Sequence, residues 1–120
     1  MTGPQVLSVG IDRRLLVARH ALLEEAGFAV TSVETTYEGL KKLALSRFAA
    51  VVVGPCFPFT EKQLFAAEVG ERWRIPVIVL YESNADFQLT ADSNVEITEG
   101  AAELIAALNS VTFRSQQRLA

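Results

Sequence analysis

The sequence predicts an α/β domain built on a doubly wound parallel sheet with strand order 2-1-3-4-5. Three observations carry that expectation. Short β-rich runs alternate with helical patterns five times along the 120 residues, and such alternation is the signature of a sheet with helices on its faces. Two of the runs, Ala49–Val53 (AAVVV) and Ile75–Tyr81 (IPVIVLY), are apolar almost throughout, as strands covered on both faces are. The segments between runs are long enough for right-handed crossovers, which return each strand parallel to the last. Half of the residues are apolar and 21% are charged, a composition that suits one domain with one core.

The first strand is Gln5–Val9 (QVLSV), which ends at Gly10. A helix follows over Arg13–Ala26, with Asp12 placed to cap its N-terminus and Gly27 just past its last turn. Leu15, Ala18, Leu22 and Ala26 lie along one face at helical spacing, with Leu16 and Leu23 beside them. Phe28–Val33 is the second strand and Thr36–Ser46 the second helix, with Leu40, Leu43 and Ala44 on its apolar side. After Ala49–Val53, Gly54–Thr60 (GPCFPFT) is a loop punctuated by two prolines. Glu61–Trp73 is the third helix, and Pro76 stands near the start of the strand that follows, where a missing N–H does least harm. Glu82–Asn94 is polar, with room for a short helix around Ala85–Ala91, and Val95–Ile97 is a short edge strand. Gly100–Val111 is the last helix. The domain is expected to span 1–111, with 112–120 a tail or the start of a linker.

Composition excludes several classes of function. The formal net charge is −3 and no basic patch is visible, which argues against a nucleic-acid partner. No apolar run approaches a membrane span, and MTGPQVLSV lacks the basic start of a signal peptide, so a cytoplasmic protein is expected. A single cysteine, Cys56, excludes an internal disulfide and a cysteine-based zinc cluster.

In a doubly wound sheet, ligands sit beyond the C-terminal strand ends, here Gly10–Asp12, Gly54–Cys56, Tyr81–Ser83 and Thr98–Gly100. Around those ends the sequence resembles the receiver domains of bacterial two-component response regulators, from Val6 to Val111. The resemblance rests on VLSVGIDRRLL, LLEEAGFAV, VETTYEGLKKL, FAAVVVGPCFP and IPVIVLYES, taken in their order and spacing. It implies the flavodoxin-like (βα)5 fold. Receiver chemistry uses an acidic pair that holds Mg²⁺, a phosphoacceptor aspartate, a hydroxyl residue and a lysine. Aligned on the family, those positions fall on Gly10 and Ile11, Gly54, Tyr81 and Glu99, with Asp12 one step beyond the acidic pair and Glu96 at the aromatic switch position. The carboxylates, the hydroxyl and the cation are all replaced, so the resemblance implies a disarmed phosphorylation pocket, with no Mg²⁺, no cofactor and no catalysis.

Single residues admit plainer roles. Asp12 could be a remnant ligand but also suits a helix cap. Cys56 has no adjacent cation in sequence to activate it, and His20 has no partner visible in sequence. Glu96 and Glu99 read as solvated rim charges, Tyr81 as a filler of the vacated space, and Gly54 as a point of close backbone approach. In the last helix, Ala101, Leu104, Ile105, Leu108 and Val111 form a docking face. The other side, with Ala102, Glu103, Ala106, Ala107 and Ser110, carries little charge. That suits a protein partner or a homodimer, although alanine is also simply a good helix former. From Tyr81 to Glu99 there are eighteen positions, about one helical turn short of the family. The expectation is a phosphorylation-independent pseudo-receiver acting by protein–protein contact. The alternative is a small-ligand sensor that uses the emptied pocket near Gly10, Gly54 and Tyr81, lined by Phe57.

Overall fold

Gln5–Val9 (β1) lies in the interior of the sheet, because its neighbours on both sides are also strands. The structure, a computed structural model, describes the backbone over residues 3–81, 93–96 and 101–119, and side chains over 3–80 and 102–112. Within those bounds the elements run β1, α1 (Arg13–Glu25), β2 (Ala29–Val33), α2 (Thr36–Leu45), β3 (Ala50–Val53), α3 (Phe59–Arg72), β4 (Val77–Tyr81), β5 (Ser93–Glu96) and α4 (Ala101–Leu119). The strands form one parallel sheet of order β2-β1-β3-β4-β5, as the alternation of patterns predicts. The expected helix around Ala85–Ala91 lies outside the described residues.

The pleat divides the apolar residues between two cores. Leu7 and Val9 of β1, Val51 and Val53 of β3, and Val77 and Val79 of β4 face one side, where they meet Leu43 of α2 and Phe65, Ala66 and Val69 of α3. Val6, Ala50, Val52, Ile78 and Leu80 face the other, against Leu23 of α1 and Leu104, Leu108 and Val111 of α4. Both faces of β3 and β4 are therefore dry, which explains their unbroken apolar runs.

The boundaries differ from the sequence reading where local chemistry overrides pattern. Helix α3 begins at Phe59 rather than Glu61, directly after Pro58 at its N-cap, whose backbone is extended at φ −57 and ψ 147. β4 begins at Val77, because Pro76 lacks an N–H to donate, although its carbonyl still accepts from Val51 at 3.0 Å. Helix α4 does not stop at Val111. It continues to Leu119, and at the point where the sequence turns polar Thr112 is buried, its hydroxyl donating to the Leu108 carbonyl at 2.8 Å. A threonine that bonds back into the preceding turn is accommodated in a helix, so polarity alone misplaces the end.

Arg74 follows α3 with φ of 54°, a left-handed conformation that favours glycine. Arg74→Gly is expected to gain about 0.5–1 kcal/mol, seen as a higher urea midpoint.

Candidate functional site

The C-terminal ends of β1 and β3 meet through backbone hydrogen bonds. Gly54 N–H donates to the Val9 carbonyl at 2.8 Å, and Gly10 N–H donates to the Val33 carbonyl at 3.0 Å. Both glycines are buried. Asp12, next along the loop, is exposed, and its Oδ1 accepts from the backbone N–H of Arg14 at 3.0 Å and Leu15 at 3.3 Å. Its carboxylate is thus spent on capping α1, the plainer of its two roles. Asp12→Ala is expected to cost about 1 kcal/mol of stability, as a fall in thermal midpoint.

The feature that sequence reasoning missed is Arg19. It sits on the inner face of α1 with Leu16 and Leu23, and is only 8% exposed. Its Nε donates to the Ser8 hydroxyl of β1 at 3.0 Å, and its Nη2 donates to the Val9 carbonyl at 3.3 Å. The same Nη2 lies 2.8 Å from where a Cβ would stand on Gly10, and 3.2 Å from where one would stand on Gly54. A guanidinium therefore fills the place that side chains at those two positions would need. Burial holds its pKa below the ordinary arginine value, with the charge of Cys56 acting in the opposite direction. Among the described residues no carboxylate pairs with it.

Placing Arg19 on the core line also corrects the α1 face. The buried line is Leu16, Arg19 and Leu23, while Leu15 is 45% exposed and Ala18 and Ala26 are exposed as well. A hydrophobicity count passes over the arginine and rotates the stripe onto its neighbours. The signal was present: Leu16, Arg19 and Leu23 keep the spacing of an inward face, and Ser8 supplies a polar partner inside an otherwise apolar strand.

Ile11 and Cys56 stay at the same edge as Gly10 and Gly54, whereas other expected site residues are dispersed. Ile11 is 48% exposed and borders the edge beside Gly10 and Asp12. Phe57 is buried in the α2–α3 core rather than lining the edge. Tyr81 is the last residue of β4, in register with Glu96 of β5. Glu99 lies outside the described residues. Cys56 is exposed and free. His20 does have partners: its Nδ1 lies 2.7 Å from the Ser32 hydroxyl of β2, and its Nε2 lies 3.2 Å from the Glu24 carboxylate.

What remains at the edge is a dimple of about 10 Å³ bordered by Gly10, Ile11, Asp12, Arg19, Gly54 and Cys56. That is room for one water-sized group, too little for a metabolite, so the described part of the pocket lends no support to a small-ligand sensor. Among the described residues no three His, Cys, Asp or Glu side chains gather to hold a metal ion.

No protein-family model matches the sequence, and no curated protein matches it. Solved structures do. A receiver domain protein from Methanospirillum hungatei superposes with a TM-score of 0.83 at 18% identity, covering 96% of this chain and 98% of its own. A response regulator receiver protein from Sinorhizobium medicae gives 0.77 at 22% identity, with 92% and 94% covered. A complex of the histidine kinase ThkA with the response regulator TrrA gives 0.78 at 18% identity, with 91% and 98% covered. The fold is that of a receiver domain. At the positions the sequence resemblance assigns to the family's Mg²⁺ ligands stand Gly10, Ile11 and Gly54, beside a buried guanidinium, and the adjacent Asp12 carboxylate is engaged as the α1 cap. The described residues do not fit the metal. Among them, no helix of the receiver fold is long and apolar enough to cross a membrane.

Proposed function

We propose that this protein is a phosphorylation-independent, receiver-like domain that works in signal transduction or regulation by contact with another protein and does not catalyse a reaction. The observation that carries this reading is the guanidinium of Arg19 wedged between Gly10 and Gly54. Among the described residues, neither position 10 nor position 54 offers a carboxylate to attack a phosphoryl group, and a fixed cation stands where a metal would need acidic ligands.

The contact surface we propose is the outer side of α4. Ala102, Glu103, Ala106 and Ser110 are exposed, whereas Leu104, Leu108 and Val111 are buried against the sheet. Ala107, expected on the open side, is partly buried against the core and contributes less. Small side chains on an exposed helical face permit close approach by a second helix. The occupant is a protein partner or a second copy of the chain. TrrA, which shares the fold, was solved with a histidine kinase, which supports a protein partner in general.

Incubation with acetyl phosphate and Mg²⁺ is expected to leave the intact mass unchanged. Gain of one phosphoryl group on an aspartyl residue would overturn the reading. Light scattering across a concentration series, for the native protein and for Ala106→Arg, tests the α4 face. A native dimer that the substitution dissociates supports self-association, and a strict monomer assigns the face to a different partner.

A further inference from the structure

The charges at the edge raise a question that the loss of phosphotransfer residues does not answer. Arg19 is 8% exposed, its two described bonds go to uncharged oxygens, and no carboxylate among the described residues neutralises it. A buried charge is ordinarily paired. Its Nη2 reaches toward two strand-end glycines, and Arg19 borders a dimple of about 10 Å³ that Pro55 and Cys56 also line. That volume admits one oxygen atom and little more.

We propose that the C-terminal edge of the sheet is an anion-accepting site built on Arg19, which receives one carboxylate oxygen where a divalent cation would be repelled. The site's charge preference is then the reverse of that of a metal-binding receiver. The inference rests on the phosphorylation-independent reading and adds the class of group the edge takes. Among the described residues, Asp12 borders the dimple but is engaged with the α1 N-terminus, Cys56 borders it as well, Lys62 donates to the Pro55 carbonyl beside it at 3.4 Å, and Gly10, Gly54 and Pro55 carry no side-chain charge. Charge-assisted bonds from arginine to carboxylate are short and strong, and partial exclusion of water strengthens them further.

The test tethers the carboxylate to the site. Gly54→Asp and Gly54→Asn introduce side chains of nearly equal shape, so the close approach to Arg19 and to the Val9 carbonyl affects both alike. At pH 7 the Asp variant is expected to melt roughly 3 °C above the Asn variant. The introduced carboxylate has its folded pKa lowered by Arg19. Its advantage is therefore present above the ordinary aspartate pKa of about 4 and is lost as pH falls through the lower folded value. Arg19→Met in both backgrounds is expected to abolish the difference. Cys56→Asp against Cys56→Asn repeats the comparison at an exposed position that tolerates either side chain, with a smaller shift of the same sign, and decides the matter should the Gly54 pair not fold. Equal melting of Asp and Asn at both positions, or a difference that survives Arg19→Met, would overturn the proposal. Neither result touches the phosphoryl mass assay, and a phosphorylated native protein would leave the Asp–Asn comparison standing, so the two readings fail separately.

Discussion

Leu108→Ala is expected to destabilise the protein by about 3 kcal/mol. Leu108 is fully buried on the inner face of α4, in the core made with Val6, Ala50, Val52, Ile78 and Leu104. Truncation removes the transfer free energy of the lost atoms and leaves a cavity that the two β-strand faces are too rigid to close. In urea the midpoint should fall by roughly 1.5 M with little change in slope. Ala106→Ser, two residues earlier on the exposed side, should stay within about 0.5 kcal/mol of the native protein. A loss below about 1 kcal/mol for Leu108→Ala would mean that α4 is not clamped to the sheet, and would remove the basis for assigning its outer face to a partner.

Gly10→Ala is expected to cost about 2 kcal/mol, an unusual sensitivity for a single methyl group at a strand end. The added Cβ would lie 2.8 Å from Arg19 Nη2 and 3.2 Å from Leu16 Cδ1. The end of an arginine normally swings aside cheaply. This one is held by Ser8 and the Val9 carbonyl and is shut in by burial, so moving it breaks bonds that water is poorly placed to replace. In an Arg19→Met background the same substitution should cost less than about 1 kcal/mol, because the atom it collides with is gone. The coupling between the two sites is the measurement that matters, and thermal or urea unfolding of the four proteins supplies it. Full additivity would show that Arg19 does not occupy the space beside Gly10.

The architecture was legible because the strands announce themselves. Val51, Val52 and Val53 cannot all be inside unless both faces of the strand are covered, and alternation with helices then leaves few topologies. Asp12 as a cap and Gly27 after α1 were equally readable, since each satisfies a local backbone need. The site was legible only as a set of absences. Gly10, Ile11 and Gly54 stand where the resemblance leads one to expect carboxylates. The residue that fills the gap comes from a helix face where arginine is not looked for, and nothing local marks it as buried. Its partner Ser8 lies eleven residues away in sequence. Only the docking of α1 on β1 brings the two together. The end of α4 was missed for a different reason: Thr112 is a polar residue that the helix satisfies internally.

The wedge of Arg19 between the two strand ends also bears on what a carboxylate introduced at either end would do. A carboxylate reinstated alone at position 54 or 10 would meet a guanidinium before it met a metal ion, and would be drawn into an internal pair that is neither a nucleophile nor a ligand. Removing Arg19 alone would leave an empty space with nothing to coordinate. No single substitution at these positions supplies a free carboxylate, so on the proposed reading phosphotransfer would require several changes made together.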